Sequence, residues 1–316
     1  MQTSMLFIGV DVAKSELVIA VGGQPSRAIA NTTASIAQWL SGLAPHSCIA
    51  MESTGRYHAL LAHLAFQAGM RVYVLNARDV YFYAKALGTR AKTDGVDAVV
   101  IARYVSEHHE HLHPWQPGSA TQQQLKQLLT RRTKVVMHQS ALRQILDAVQ
   151  LQPLDTQGLH AAFAHLLALI DQQIGRLIAS DQALQQGYQR LIGITGIGPQ
   201  TAALLTELLS RIAFANADAL VAYSGLDPRP NDSGTKRGRR RLSKKGPALL
   251  RRQMYLVAGA ASHSKALKPL YLAIRAKGFA GTEALVILGR KLLRVAYSVW
   301  KSGAPFDPAL LLPKTS

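Results

Sequence analysis

Four acidic residues of this chain have the types and spacing that phosphoryl-transfer chemistry requires. Asp11 and Glu52 each end a short, uncharged apolar run. Asp94 and Asp97 lie three residues apart at the start of a predicted helix, so their side chains share one face. Carboxylate oxygens suit Mg²⁺, and two such ions can stabilise both the attacking and the leaving oxygen of a phosphoryl transfer.

Each of these acids, taken alone, could have a purely structural role. Asp94 could cap its helix, and Asp11 could top a turn. A cluster of carboxylates without metal would be repulsive and would raise the pKa values of its members. The chain has 18 Asp and Glu against 36 Lys and Arg. For the four acids together, a Mg²⁺ site, with room for two ions, is therefore the expectation.

A serine in the C-terminal half is a candidate nucleophile. Ser233 lies in a polar loop, next to Gly234 and just before Lys236 and Arg237. A serine that attacks a phosphodiester needs nearby cations to stabilise the pentavalent oxyanion. From the residues alone, Ser233 is one loop serine among several, and Ser224 and Ser243 lie close by.

The elements that must position these residues form an α/β pattern in the first half. Strands come first and then alternate with helices, which is typical of a sheet with mixed strand directions. The predicted strands are 6–10, 16–21, 27–30, 48–51 and 71–75. The predicted helices are 33–43, 57–68, 80–87 and 94–106, with Thr32 or Thr33 as the N-cap of the first.

The rest of the chain reads as helical. Two amphipathic stripes on either side of a break at 152–155 predict a helical hairpin or coiled-coil arm. The stripes are Leu125, Leu128, Val135, Leu142, Leu146 and Val149, and then Phe163, Leu167, Ile170, Ile174 and Leu177. We expect three parts: a metal-binding domain over 1–115, the arm over 116–188, and a mainly helical domain over 189–316. Whether the arm buries its stripes within one chain or dimerises the protein stays open.

Composition narrows the class of protein. The net charge of +18 and a pI near 10.3 favour a polyanionic partner, with nucleic acid ahead of a membrane surface. No apolar stretch of membrane-spanning length and no signal-peptide pattern is present. The single cysteine, Cys48, excludes an intrachain disulfide and fits the cytoplasm.

Two features indicate contacts to nucleic-acid backbone. The segment 193–202 is typical of a helix-hairpin-helix turn, whose glycines permit the bend and whose second helix offers free N–H groups to phosphate. A plain turn between packed helices is the alternative. The predicted nucleic-acid-binding residues are Gly196, Gly198, Lys236, Arg237, Arg239, Arg240, Arg241, Lys244, Lys245 and Arg251. Tyr81, Tyr83 and Trp115 are expected to pack in the protein rather than to stack on bases.

The four acids and the sequences around them resemble one known family. Ile8-Gly9-Val10-Asp11-Val12-Ala13-Lys14, Met51-Glu52-Ser53-Thr54-Gly55 and Lys92-Thr93-Asp94-Gly95-Val96-Asp97-Ala98 are similar to the RuvC-like, ribonuclease-H-type domain of DEDD insertion-sequence transposases. That family includes pilin-gene invertases and bridge-RNA-guided recombinases. Five segments of this chain are similar to the C-terminal domain of that family: 196–199, 225–228, 233–234, 242–246 and 250–251.

The resemblance implies a mechanism and a set of partners. Ser233 would attack a DNA phosphodiester and form a phosphoserine intermediate, with Mg²⁺ held by the four acids. Donor and target duplexes would be the substrates, and a structured noncoding guide RNA is a partner in many members. The resemblance further implies a homo-oligomer, dimer or tetramer, in which half-sites can be completed across protomers, and a nucleoid-associated bacterial protein.

Three other functions compete with this one. A RuvC-like nuclease or resolvase would use water in place of Ser233. A sugar kinase or ATPase shares the opening Gly9-Val10-Asp11, but neither the charge of +18 nor the basic C-terminal half favours it. A non-catalytic RNA-binding protein would tolerate Asp11→Asn.

Overall fold

The chain divides into two compact units, residues 1–117 and 118–316. The computed structural model describes residues 5–22, 24, 26–53, 57–88, 93–146, 155–230, 232–233, 238 and 240–311. The first unit is a mixed sheet covered by helices, and the second is almost entirely helical. This architecture confirms the predicted α/β class with a helical C-terminal half. The further division of the second unit near residue 188 stays a prediction.

The first unit is built on a five-stranded sheet in the order β3-β2-β1-β4-β5. Its strands are β1 (Phe7–Val12), β2 (Glu16–Val21), β3 (Arg27–Ala30), β4 (Cys48–Glu52) and β5 (Arg71–Leu75). The first three strands form an antiparallel meander, whereas β4 and β5 join β1 in parallel. A parallel strand is usually covered on both faces, which explains the uninterrupted apolar run that precedes Glu52.

Helices cover both faces of this sheet. They are α1 (Thr33–Ser41), α2 (His58–Gln67), α3 (Ala77–Ala86) and α4 (Asp94–His108), followed by a 3₁₀ turn over His109–His111. One face packs against α1 and α2, and the other against α3 and α4. Thr32 caps α1, as one of the two predicted candidates. The third helix begins three residues earlier than predicted because the Asn76 side chain accepts a hydrogen bond from the Arg78 amide.

The second unit begins with a long helical pair. Helix α5 (Ala120–Leu146) packs against α6 (Gln157–Ala179), which confirms the predicted hairpin partners; the intervening break lies outside the described residues except for Asp155. Leu125, Leu128 and Leu129 meet Ile170, Ile174 and Ile178 in a buried cluster. The predicted stripe is not buried along its whole length, since Leu142 is 38% exposed near the far end.

The remaining helices pack around one apolar core. They are α7 (Gln182–Ile192), α8 (Pro199–Arg211), α9 (Ala217–Ser224), α10 (Ala248–His263), α11 (Lys268–Ala276) and α12 (Gly281–Ser302), with a last 3₁₀ turn over Pro308–Leu311. Met254, Leu288 and Leu292 are fully buried at the centre of this core. Between α9 and α10 in the chain, β6 (Pro228–Arg229) and β7 (Arg241–Leu242) pair to form a two-stranded ribbon.

Charge is divided unevenly between the two units. Residues 118–316 carry 27 of the 36 Lys and Arg, but only 10 of the 18 Asp and Glu. The first unit is therefore almost neutral, and nearly all of the positive charge belongs to the second. Cys48 is fully buried, and burial raises the pKa of its thiol, as expected of a structural cysteine. Within the described residues, no helix is both long and apolar enough to cross a bilayer.

Candidate functional site

Asp11 and Glu52 lie side by side at one edge of the sheet. In the parallel pair of β1 and β4, Val10 stands opposite Met51, so the next residue on each strand is one of the two acids. Residues in register point to the same face of a sheet. Glu52 also stands opposite Leu75, which is buried beneath α3 and α4. Both half-buried carboxylates thus belong to the face that α3 and α4 cover.

Helix α4 runs antiparallel to β1 across this face. The ring of His109, just past the helix, lies 4.8 Å from the ring of Phe7 at the start of the strand. Gly9, two residues further along β1, meets the backbone of Ala98 and Ala102. The N-terminal turn of α4 therefore points toward the end of the strand that carries the acid.

Gly9 is what lets the helix approach the strand so closely. A Cβ atom at this position would lie 2.1 Å from the Ala98 carbonyl oxygen and 2.3 Å from the Ala102 nitrogen. Gly9, Ala98 and Ala102 therefore determine how closely α4 packs on β1. This role was not identified from the sequence. The signal was present in the sequence as a glycine two residues before Asp11 and two alanines four apart on the helix that carries Asp94.

The first turn of α4 carries the other two acids. Thr93 is the N-cap, and its side chain accepts a hydrogen bond from the Val96 amide. Asp94 is thus not the capping residue, which removes the main structural alternative for it. Acidic residues in this turn are still favoured by the helix dipole. Asp94 is exposed and Asp97 half-buried.

The donor set suits a hard divalent cation, but the structure does not close it into one ligand shell. Among the described residues, no three His, Cys, Asp or Glu side chains lie close enough together to hold a metal ion. The sheet brings Asp11 and Glu52 together, and the helix brings Asp94 and Asp97 together. Gly95, in the same turn as Asp94 and Asp97, approaches the side chain of Ser26 ahead of β3.

The candidate serine stands on the loop that the ribbon of β6 and β7 closes. The register of the ribbon sets Arg229 opposite Arg241, and Ser233 is exposed between them in sequence. Ser224 and Ser243, its two rivals in sequence, are buried. The Ser224 hydroxyl donates to the Val221 carbonyl, and that of Ser243 donates to the Asp227 carboxylate. Of the three, only Ser233 is open to a large substrate.

An ion pair holds the loop beside the serine. Asp232 accepts a hydrogen bond from Arg240 Nη1 at 2.6 Å and from the Gly238 amide at 3.2 Å. The hydrogen bond from Arg240 holds the pKa of Asp232 below its ordinary value. A carboxylate with a lowered pKa is a weak base, so Asp232 is suited to positioning the loop rather than to taking the hydroxyl proton from Ser233.

The predicted basic residues have different surroundings. Arg240, Arg241 and Lys244 are exposed, whereas Lys245 is half-buried. Arg251 donates from Nη1 to the carbonyls of Ser224 and Gly246, and therefore braces the base of the ribbon. Three further predicted residues lie outside the described part of the chain: Lys236, Arg237 and Arg239.

The predicted glycine-rich turn connects α7 to α8. Gly196 has a φ of +93°, and a Cβ there would lie 2.7 Å from the Val257 carbonyl oxygen of α10. Gly198 precedes Pro199 at the helix start and has open space around it. Packing against α10 thus accounts for Gly196, while Gly198 leaves the start of α8 accessible.

Comparison with known proteins finds the same kind of protein in both units. Residues 8–152 match the family model of IS110-type DEDD transposases, and residues 188–272 match that of the IS116/IS110/IS902 transposase family. The pilin gene-inverting proteins of Moraxella bovis and Moraxella lacunata are each 29% identical over 263 residues, which cover 81% of this chain and 81% of the relative. An insertion element IS110 protein of Streptomyces coelicolor is 28% identical over 182 residues, or 54% of this chain and 45% of its own length.

Proposed function

This chain belongs to the IS116/IS110/IS902 family of transposases, and we propose that it joins donor and target DNA through a covalent bond to Ser233. The observation that carries the proposal is the exposure of Ser233 on a loop held by the ion pair of Asp232 and Arg240. The two other serines near it in sequence, Ser224 and Ser243, are buried. The alternative is a metal-dependent DNA nuclease or resolvase that uses water.

The chemistry proposed for Ser233 conserves the energy of the phosphodiester. Its Oγ attacks phosphorus and loses its proton to solvent, while one bond from phosphorus to a deoxyribose oxygen breaks and that oxygen takes up a proton. A hydroxyl of the other duplex then attacks the phosphoserine and releases the serine. No nucleotide cofactor is needed, because each step exchanges one phosphoester for another. Arg240 and Arg241, at the C-terminal end of the loop, are suited to stabilise the negative charge that develops on the phosphoryl oxygens.

We assign Asp11, Glu52, Asp94 and Asp97 as the residues that would hold Mg²⁺, with room for a two-metal arrangement. When bound, the cation supplies positive charge to the attacking and leaving oxygens. Its hard-ligand preference fits the four carboxylates. The sheet supplies Asp11 and Glu52 to this proposed site, and the first turn of α4 supplies Asp94 and Asp97. Gly9 allows the close packing that brings α4 against the strand that carries Asp11.

Binding to the DNA backbone is proposed for the basic second unit. The residues assigned to it are Gly196, Gly198, Lys236, Arg237, Arg239, Arg240, Arg241, Lys244, Lys245 and Arg251. Of these, Arg251 acts through its hold on the ribbon. We further propose that a structured noncoding RNA shares this basic surface and pairs with both duplexes, as the family resemblance implies. Self-association is proposed for the arm, whose far end exposes Leu142 and Ile145.

Trapping of labelled DNA tests the serine. The protein, expressed together with its native flanking noncoding DNA, is mixed with donor DNA and Mg²⁺ and run on a denaturing gel. Wild type should give a slow covalent band that Ser233→Ala and Asp11→Asn both lack. Ser180→Ala, which removes another exposed serine hydroxyl, should retain the band.

The outcomes separate the two candidate functions. Cleaved DNA without a covalent band, still produced by Ser233→Ala, would refute the serine and leave the water-using nuclease. Loss of the band after ribonuclease treatment, with its return on adding back the purified RNA, would support the guide. Light scattering of wild type and Ile145→Glu would test the arm, since a monomeric variant is expected from an oligomeric parent.

A further inference from the structure

The outward face of α3 carries two exposed aromatic rings between two cations. Tyr81 is 53% exposed and Phe82 is 50% exposed. Arg78 and Lys85, also exposed, lie three or four residues from the rings, so all four side chains form one stripe along the helix. Sequence reasoning expected Tyr81 to pack within the protein, and its exposure shows that expectation to be wrong.

The four side chains contact one another in a defined arrangement. The rings of Tyr81 and Phe82 lie edge to face, with centroids 5.5 Å apart. Lys85 Nζ stands 4.8 Å from the centre of the Tyr81 ring, and Arg78 Cζ stands 5.6 Å from the centre of Phe82. Each cation thus lies over the face of one ring, where the ring quadrupole attracts it.

The core of the unit does not use these rings. The opposite side of α3 supplies the core, through buried Val80 and through Tyr83, whose ring packs against Tyr104. Trp115, which was also considered for stacking, packs edge-on against Phe66. Adjacent large rings that are half exposed gain only part of the burial that stabilises a fold, so a contact with another molecule is the simpler explanation.

The stripe lies on the element that follows the carboxylate edge. Glu52 stands opposite Leu75 at the end of β5, and Asn76 immediately after it caps α3. The helix with the exposed rings therefore belongs to the same unit as the acids and begins directly after a β-strand that ends opposite Glu52.

We propose that the stripe Arg78, Tyr81, Phe82 and Lys85 is a stacking platform for the unpaired nucleobases of a DNA strand. Every base has a flat π-face, so aromatic rings bind unpaired strands with little regard to sequence. Paired bases in a duplex are already stacked on both faces and cannot use the platform. The two cations are suited to leave the ring faces and contact the phosphates on either side of the bound bases.

The charge of the first unit favours stacking over general attraction as the source of selectivity. Residues 1–117 hold nine Lys and Arg against eight Asp and Glu, so this unit has little net charge. The one acid of α3, Asp79, is half-buried, and its charge contributes, after burial, to raising the pKa of Tyr104 on α4. The inference rests on the proposed function, because strand exchange is what would supply unpaired bases.

Fluorescence anisotropy with the full-length protein tests the platform. Labelled single-stranded DNA, single-stranded RNA of the same sequence and the DNA duplex are titrated with wild type and with the double variant Tyr81→Ala/Phe82→Ala. Each lost ring should weaken single-strand binding about fivefold to 150-fold, so the double variant should weaken it by at least that factor. Duplex binding should change less than twofold.

Matched variants separate stacking from structural damage. Tyr81→Phe/Phe82→Tyr keeps both rings and should keep wild-type affinity. Leu272→Ala removes an apolar side chain of the same 53% exposure elsewhere in the chain and should have no effect. A 2-aminopurine base in the strand should be quenched by wild type and not by the double alanine variant.

Salt dependence tests the role of the cations. Arg78→Gln/Lys85→Gln should reduce the slope of log affinity against log salt by about 1.4 for a single strand, since each phosphate contact contributes about 0.7. The double alanine variant should weaken binding and leave that slope unchanged.

Each outcome bears on one proposal. Selective weakening of binding to single-stranded DNA supports the platform, whereas weakening confined to RNA overturns its assignment to a DNA strand. A wild-type protein that binds neither strand nor duplex refutes the proposed function itself. Wild-type binding that the double alanine variant retains in full refutes the platform alone. If that variant instead changes the oligomeric mass with unaltered strand affinity, the rings bind protein and the platform is overturned.

Discussion

Replacing Gly9 with alanine should separate α4 from β1. The new Cβ would lie 2.1 Å and 2.3 Å from the main-chain atoms of Ala98 and Ala102, where ordinary contact needs about 3.4 Å or more. The obstructing atoms belong to backbone and cannot rotate away, so the helix must move by about 1 Å. Overpacking costs about 1–3 kcal/mol, and the upper end applies here. The lower entropy of the unfolded alanine chain offsets at most about 1 kcal/mol.

Hydrogen exchange of the full-length protein measures this loss locally. Peptides that cover β1 and α4 should lose protection by a factor of about 30 in Gly9→Ala, which corresponds to about 2 kcal/mol. Peptides from α10 and α12 should be unaffected. The covalent band should weaken too, because Asp94 and Asp97 move with the helix.

Gly22→Ala is the matched control for that experiment. Gly22 directly follows β2 of the same sheet, and a Cβ there meets nothing within 4 Å. Its protection factors should stay within about 0.5 kcal/mol of wild type. Equal protection in the two variants would show that α4 does not rest on Gly9, and would refute the account given for this edge of the sheet.

Two further predictions concern ionisable groups. Asp171→Asn removes the carboxylate that binds Arg132 Nε at 2.5 Å and Nη2 at 3.0 Å across α5 and α6, and should cost about 1–2 kcal/mol in thermal unfolding. Asp218→Asn, on an exposed ion pair, should cost under 1 kcal/mol, and equal losses would contradict the argument. Burial, with a hydrogen bond to Glu107, raises the pKa of Tyr83 from 10.0 to about 12. The stability that this tyrosine contributes is complete below pH 10 and is lost as the pH rises toward 12. Denaturant titrations at pH 9 and 11.5 should therefore show a smaller alkaline decrease in the free energy of unfolding for Tyr83→Phe than for wild type. An equal decrease in the two proteins would rule this out.

The arrangement of the first sheet was largely predictable, because its signals are local. The uncharged run before Glu52 is what a strand covered on both faces requires, and it is buried as expected. Thr32 capped its helix for the same kind of local reason. The strand beside Asp11 could not be identified from local signals, since strand order depends on contacts distant in sequence.

The candidate site was less predictable than the fold. Periodicity cannot distinguish buried Ser224 and Ser243 from exposed Ser233, because the difference arises from the packing of α9 and from the hydrogen bond to Asp227. The role of Arg251 as a brace also depends on two carbonyls that the fold brings to it. Exposure of Tyr81 was missed because an aromatic residue in a helix ordinarily faces the core.

The uneven division of charge has a consequence for how such an enzyme searches a chromosome. A strongly basic unit holds any duplex without regard to sequence and lets the protein slide along it. The almost neutral unit, which carries the four acids, adds little to that grip. Under the proposed assignment of the four acids, surface lysines of the second unit can change the residence time on DNA while metal binding at the strand ends of the first unit stays unchanged, during evolution as well as in engineering.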